Sequence, residues 1–419
     1  MGILSIKNLQ VGMILSEDLT DRMGRLLMTR GTVLTEKYLK ICKMWGVIEA
    51  QIEGVSGDDV NASVLNNFNP DDITIASESV CKQFCHTDVD HPAIRELVRL
   101  CILRTAEGKN IDPDDLGDDS WIKETDTECK TKTPGNANPL KFIGEHTKLS
   151  TLPDVYGQLL NAIAKPSSSM YDIENVINKD TNLSARLLKI VNSAFYGYPS
   201  KIDTLSRAIS IIGTRQLSTL AMGINIITVF NKIPSNIVNM KMFWKHSVLC
   251  GICARILASY KNIQNTERMF TAGLLHDIGR LVCYNYLPKE SLYTVMQAKN
   301  NRQLLYLVER DAFSIDHASI GGSLLNRWQM PLSLEDMVCH HHEPEKSKNL
   351  MESSILHLAD IMANAMGIGT SGERLIPPLH QEAWMRLGTT PNILSLTFEQ
   401  ADRQLEDVFK VIYVEDRSK

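Results

Sequence analysis

Seven side chains able to hold a divalent cation recur in the second half of the sequence: His246, His276, Asp277, His317, His341, His342 and Asp360. The stretch TAGLLHDIGRLV, residues 271–282, reads as a buried apolar helix with His276 and Asp277 adjacent in its middle, and Ala272, Gly273, Gly279 and Cys283 leave small side chains beside them. In FWKHSVLCGICARIL, His246 shares a face with Leu249, Cys250, Cys253 and Leu257. In DAFSIDHASIGGSLLNRW, His317 aligns with Phe313, Ile320, Gly321 and Leu324. In LSLEDMVCHHHEP, His341 continues the stripe of Leu334, Met337 and Val338, His342 follows Val338 by one helical turn, and His340 faces away. In SSILHLADIMANAMG, Asp360 falls in line with Leu356, Ala363 and Gly367. A single inward histidine is usually a hydrogen-bonded core residue, and a buried carboxylate is costly unless paired or metal-bound. Seven such groups on five helices are hard to satisfy one by one, whereas one or two divalent ions would satisfy most of them together. Mixed His and Asp donors without Cys suit Fe or Mn, with Zn or Mg also within range of the set.

The rest of the sequence supplies the scaffold. With 419 residues, 43% of them hydrophobic, the chain can bury a sizeable core. A net charge of −5 gives no global field toward nucleic acid or an acidic membrane, so neither is expected as a partner. MGILSIKNLQ lacks the pattern of a secretory leader and no stretch reaches membrane-span length, which makes a cytoplasmic location the expectation. Nine scattered cysteines imply no disulfide framework. CKQFCH, residues 81–86, has two thiols at i and i+4 with His91 nearby, and reads as helix-face cysteines rather than a metal or haem site.

Residues 1–54 read as a small β-rich module in which Thr35 opens the helix TEKYLKICKMWG and VIEAQIE forms the last strand. A helical extension covers 55–110, with Ile94, Leu97, Val98, Cys101 and Ile102 on one stripe. Residues 111–144 are acidic, bear Pro and Gly and read as a flexible linker. From 145 to 419 the pattern is nearly all amphipathic helix, with Ser169 and Asp180 as helix-opening residues. The fold class is therefore mainly α, a helical domain preceded by the β-rich module.

The order His246, His276-Asp277, Asp360 resembles the HD superfamily of metal-dependent phosphohydrolases, and the added His317 and His341-His342 resemble the two-metal HD-GYP phosphodiesterases. The motifs LSTLPDVYGQLLNAI, INKDTNLSARLLKIVNSAFYG, KIDTLSRAISIIG, GLLHDIGRLV, DHASIGGSLLNRWQMP, HHHEP and HLADIMAN together resemble the HDOD family, the HD-related output domain of bacterial signalling proteins. The segment LQVGMILSEDLTDRMGRLLMTRGTVLTEKYL is similar to a small domain that precedes such domains. The resemblance implies that His246, His276, Asp277 and Asp360 hold a first ion, that Asp277 bridges to a second, and that His317 with His341 or His342 completes it. If the domain is active, His276 and Asp277 are its catalytic residues. The sequence departs from the phosphodiesterases in two places: PEKSKN follows HHE where they carry Gly-Tyr-Pro, and Arg280 stands where they carry Lys.

Two functions follow as expectations. One is a bacterial signal-transduction output or adaptor protein that binds divalent metal and works through protein partners. The alternative is a metal-dependent phosphohydrolase acting on a nucleotide or cyclic dinucleotide, with cyclic di-GMP disfavoured by the missing Gly-Tyr-Pro.

Overall fold

The computed structural model describes residues 2–21, 24–54, 68–109, 138–143, 157–159, 161–162, 169–198, 200–230, 233 and 237–413. Most of the acidic stretch read as a linker, the motif at 149–163 apart from 157–159 and 161–162, and His146 lie outside the described residues. The chain divides into two compact units: Met1–Lys82 with Val89–Lys109 and Thr389–Leu396, and Gln83–Asp88 with Asn110–Gly388 and Thr397–Lys419. A segment from the far end of the chain thus belongs to the first unit.

In that first unit, strands β1 (Gly2–Ser5) and β4 (Glu49–Ile52) pair antiparallel with Leu4 opposite Ala50, and β2 (Leu19–Thr20) pairs with β3 (Leu26–Met28). Alternation along β4 turns Ala50 and Ile52 inward, where they join Leu4, Leu15, Leu34 and Cys42 in a small core. Leu396 also enters this core, and Glu49 accepts hydrogen bonds from Thr390 and Asn392. Helix α1 (Glu36–Met44) starts at Thr35, whose hydroxyl accepts the Tyr38 N–H, and stops before Gly46 at φ +65°. Helices α2 (Pro70–Gln83) and α3 (Pro92–Ala106) follow. Cys81 and Cys85 on or just past α2 are exposed free thiols, and His86 contacts the Arg302 carbonyl.

The second unit is helical: α4 (Met170–Asn178), α5 (Thr181–Val191), α6 (Leu205–Ile212), α7 (Thr214–Ile226), α8 (Met240–Tyr260), α9 (Thr266–Leu275), α10 (Ile278–Tyr286), α11 (Pro288–Asn301), α12 (Leu305–Phe313), α13 (His317–Arg327), α14 (Leu332–Cys339), α15 (Leu350–Met366), α16 (Gln381–Leu387) and the last helix, α17 (Asn392–Ile412), which begins in the first unit. The expected punctuation is present. Ser169 and Asp172 form a reciprocal capping box on α4, and Asp180 caps α5 through the Leu183 N–H, each an interaction typically worth about 1 kcal/mol. Asn192 ends α5 with its amide bonded to both the N–H and the carbonyl of Ile202. Among the described residues no helix is long and apolar enough to cross a membrane.

Helix α8 is buried along most of its length and packs against α9 and α15, while α10 packs on α13 and α13 on α14. The small side chains beside His276 set these distances. A Cβ on Gly273 would lie 2.5 Å from the Cα of Gly251 on α8, and one on Gly279 would overlap the His317 carbonyl oxygen and sit 2.7 Å from the Gly321 nitrogen. Backbone meets backbone at both crossings, so the five chain segments that carry the His and Asp residues converge closely.

Candidate metal centre

The stretch 271–282 is two helices, not the single buried helix its periodicity predicts. Helix α9 ends at Leu275 and α10 begins at Ile278; His276 and Asp277 form the turn between them, with Asp277 at φ −96°, ψ 9° in the sparsely populated bridge region. Asp277 occupies the N-cap position of α10 but its carboxylate caps nothing. It faces the histidines instead. The HHHEP stretch departs from expectation likewise: α14 stops at Cys339, so His341 and His342 project from the turn beyond a helix end. DAFSIDHASI is also broken, with Phe313 ending α12 and His317 opening α13 behind an Asp316 cap. Only His246 and Asp360 sit in helix interiors, those of α8 and α15, whereas His317 is the first residue of α13. The physical reason is common to all three breaks. A polar group at a helix end is aimed by a turn, free of the fixed 100° register that would hold neighbouring His and Asp on diverging directions.

All seven residues meet. The Asp277 Oδ2 lies 3.1 Å from His276 Nε2 and 3.5 Å from His246 Nε2, and Asp360 Oδ1 lies 3.3 and 3.5 Å from the same two nitrogens. The other Asp277 oxygen, Oδ1, is 2.9 Å from His317 Nε2, which is 3.3 Å from His341 Nε2 and 3.1 Å from His342 Nε2. Two groups thus form, His246, His276, Asp277, Asp360 and His317, His341, His342, with Asp277 facing both. Donors about 2.1 Å from one ion lie roughly 3.0–3.5 Å apart, depending on octahedral or tetrahedral angles, so these separations suit a first-row divalent cation.

The ring tautomers support the same fit. The Nδ1–H of His276 donates to the Gly273 carbonyl at 2.7 Å and that of His341 to the Val338 carbonyl at 2.8 Å. His317 Nδ1 faces the Glu309 carboxylate at 2.6 Å. With the proton held at Nδ1, each Nε2 presents a lone pair to its neighbours, and lone pairs 3.3 Å apart repel unless a cation or proton stands between them. His246 Nδ1 is buried without a hydrogen-bond partner, so its ring is held by packing and by the contacts of Nε2 with Asp277, Asp360 and His276. Without metal, protons fill this role unevenly. Burial pushes His276 down, but Asp277 outweighs it and lifts the ring well above its usual range; burial and Arg280 oppose His317, yet Glu309 and Asp277 carry it up to about 9. Burial, aided by His276 and His317, pushes His341 down to about 3, and His342 also falls well below the usual range. Burial would raise both carboxyls; instead Arg280 and the histidines hold Asp277 well down, and His246 and His276 do so for Asp360.

The outer contacts were partly hidden from the sequence. Asn364 donates to Asp360 Oδ1 at 2.8 Å. Arg280, 2% exposed, reaches Asp277 Oδ2 at 3.4 Å, Glu309 Oε1 at 3.4 Å and the Ser371 hydroxyl. Cys250, whose register reads as a core thiol, also faces the first group, close to His276 and Asp360. His357 does not join: its Nδ1–H donates to the His341 carbonyl and its Nε2 accepts the His380 N–H, so both ring nitrogens are used. His340 turns away to Asp336, and His380 lies beside Glu345.

The cluster is closed. His246, His276, His317 and His341 are 0% exposed, Asp277 2% and Asp360 4%. His342 is half-buried, and the Tyr306 ring stacks on it at 4.2 Å.

An all-helical unit whose His and Asp residues converge at helix breaks defines the class. Residues 149–344, a little under half of the chain, match the HDOD domain family. It is 28% identical over 208 residues to an uncharacterized protein of Treponema pallidum (strain Nichols), a match covering 48% of this chain and 40% of that protein. The matched region therefore spans well under half of that relative's length. The fold is similar to that of an HDOD domain protein of unknown function from Geobacter sulfurreducens, with TM-score 0.53 and 19% identity over 63% of this chain and 93% of that one. It is also similar to a candidate phosphohydrolase from Shewanella amazonensis SB2B, with TM-score 0.52 and 21% identity over 66% of this chain and 99% of that one.

Proposed function

We propose that this protein is a signal-transduction output protein whose HDOD domain holds one or two divalent ions between His246, His276, Asp277, Asp360 and His317, His341, His342, and that it acts through signalling protein partners. One observation carries the choice of output domain over enzyme: the donor atoms are shut away from solvent, with six of the seven residues at 4% exposure or less. A hydrolase must bring a substrate's phosphoryl group against its ions, and function is argued from such a site rather than from the fold. Here Tyr306 covers the half-buried ligand His342. The ions in this reading tie five chain segments together, and occupancy biases the domain between states that a partner can read. Fe or Mn suits the His/Asp donors best.

A second reading is favoured by one feature. The two oxygens of Asp277 face separate histidine groups, an arrangement able to bridge two ions, and the Shewanella neighbour is named a candidate phosphohydrolase. In that case a pair of ions supplies Lewis acidity and an activated nucleophile for phosphoryl chemistry. His276 and Asp277 would orient the reacting groups, and a nucleotide or cyclic dinucleotide would be the substrate.

The experiment is a hydrolysis screen of the full chain loaded with Fe(II), Mn(II) or Zn(II) on nucleotides and cyclic dinucleotides. Cyclic di-GMP turnover is expected to be absent or far below 1 per second, since PEKSKN replaces Gly-Tyr-Pro and the ligands are closed off. Turnover of any of these substrates at about 1 per second or faster, the lower end of ordinary enzyme rates, would replace the output reading with the phosphohydrolase one.

A further inference from the structure

Glu309 lies on α12 and is 3% exposed. Its Oε2 accepts the His317 backbone N–H at 2.9 Å and faces His317 Nδ1 at 2.6 Å, while its Oε1 is 3.4 Å from Arg280 Nε. Arg280 in turn reaches Asp277 Oδ2 at 3.4 Å. The carboxylate is therefore shared between two neighbours of the metal cluster, and it contacts none of the other histidines there. Among the cluster's rings, His276 and His341 are oriented by backbone carbonyls, which no side-chain substitution removes. His317 instead depends on a side chain.

A carboxylate on the far nitrogen of a ligand imidazole fixes the tautomer, holds the ring plane and makes the near nitrogen a stronger donor; removing such a partner typically weakens metal binding about 10–100-fold. We propose that Glu309 is the positioning residue of the His317, His341, His342 half of the cluster: it sets the affinity of that half for its ion, leaving the His246, His276, Asp360 half nearly unchanged. This inference rests on the metal-binding reading above. The second contact explains why a carboxylate is needed rather than a neutral acceptor. The same group balances the buried Arg280 guanidinium, which it shares with Asp277 at 3.4 Å and, by charge, with the more distant Glu373.

The test uses the full chain stripped by chelator and titrated with Zn(II), as the native chain, Glu309→Gln and Glu309→Ala. The native chain is expected to take two ions. In Glu309→Ala the weaker-held ion of the His317 half should lose about 10–100-fold in affinity while the other stays within roughly threefold. Glu309→Gln should recover part of the loss, since its amide oxygen still accepts from Nδ1–H. Long-range proton–nitrogen spectra of the chain holding one zinc, its His317 half unfilled and at a pH where that ring is neutral, supply a readout that mere loosening of the fold would not move: His317 protonated at Nδ1 in the native chain and Glu309→Gln, and mixed tautomers in Glu309→Ala. An unchanged second affinity in Glu309→Ala overturns the inference, as does an equal loss of both ions with His317 still protonated at Nδ1. If Glu309→Ala does not fold, Glu309→Gln decides: a loss of about threefold or more confined to the second ion supports the assignment, and no loss overturns it. A native chain that binds no zinc removes the metal reading itself, and this inference with it; two ions bound and indifferent to Glu309 remove the inference alone.

Discussion

Asp277→Ala should leave the protein with less than about 0.2 metal ions per chain under conditions that load the native form, a larger loss than any other single ligand substitution. The expectation comes from its position: Oδ2 faces His246 and His276 and Oδ1 faces His317, so one truncation removes a donor from both groups. It also leaves Arg280, buried and 3.4 Å away, without one of its two close carboxylates. Breaking a buried ion pair by removing one partner commonly costs about 3–5 kcal/mol. The variant should therefore also be destabilised, and metal content is measured on the folded fraction, with circular dichroism confirming helix content. Asp277→Asn separates the two effects. It keeps the volume and one acceptor oxygen, so the fold should survive while the ion contacted through the lost carboxylate charge is released. Asp277→Ala with full metal content would exclude the bridging position.

Gly279→Ala should be the second most damaging change, although it adds one methyl group and touches no ligand side chain. The new Cβ would overlap the His317 carbonyl and lie 2.7 Å from the Gly321 nitrogen, and both are backbone atoms that no rotamer change can move. Overpacking of this kind typically costs about 1–3 kcal/mol, and the absence of any side-chain escape places this site at or above the top of that range. For a domain of this size, with a melting shift of about 2–4 °C per kcal/mol, the midpoint should fall by roughly 6–12 °C. Relief requires α13 to back away from α10, and α13 opens with His317. Loss of the ion of the His317 half should accompany the loss of stability. A melting shift under about 2 °C with full metal content would mean that the two helices do not meet this closely.

These two positions show how much of the site the sequence made legible. Periodicity found His246 and Asp360 because both sit inside continuous helices, where an apolar stripe and a polar side chain share a register. It also found Gly273 and Gly279 as a small face demanding a close neighbour. Periodicity could not find the breaks at 276–277 and after Cys339, since a helix that stops and restarts within two residues keeps nearly the same spacing of apolar residues on either side. The apolar partners aligned with His341 were right as core residues, yet the ring itself leaves from a turn. Glu309 was missed although its signal was present. It stands four residues after Leu305 and four before Phe313, both buried, so a carboxylate occupies the apolar face of α12, by the same criterion that singled out the histidines. Arg280 was read only as a departure from a motif, whereas its burial against Asp277 and Glu309 makes it part of the charge balance of the cluster. The small β-rich unit was legible as strands and a capped helix, but nothing local in the first fifty residues signals that Leu396 fills its core.

The central claim is that the convergent Nε2 atoms and carboxylates hold metal. Elemental analysis of the full chain, purified without oxygen and loaded with Fe(II) or Mn(II), tests it most directly. The account predicts one to two ions per chain, released by chelator with a fall in melting temperature, because an ion that binds only the folded state stabilises it by about 2.7 kcal/mol at a hundred times its Kd. Fewer than about 0.2 ions per chain, with a melting temperature indifferent to chelator, would contradict it.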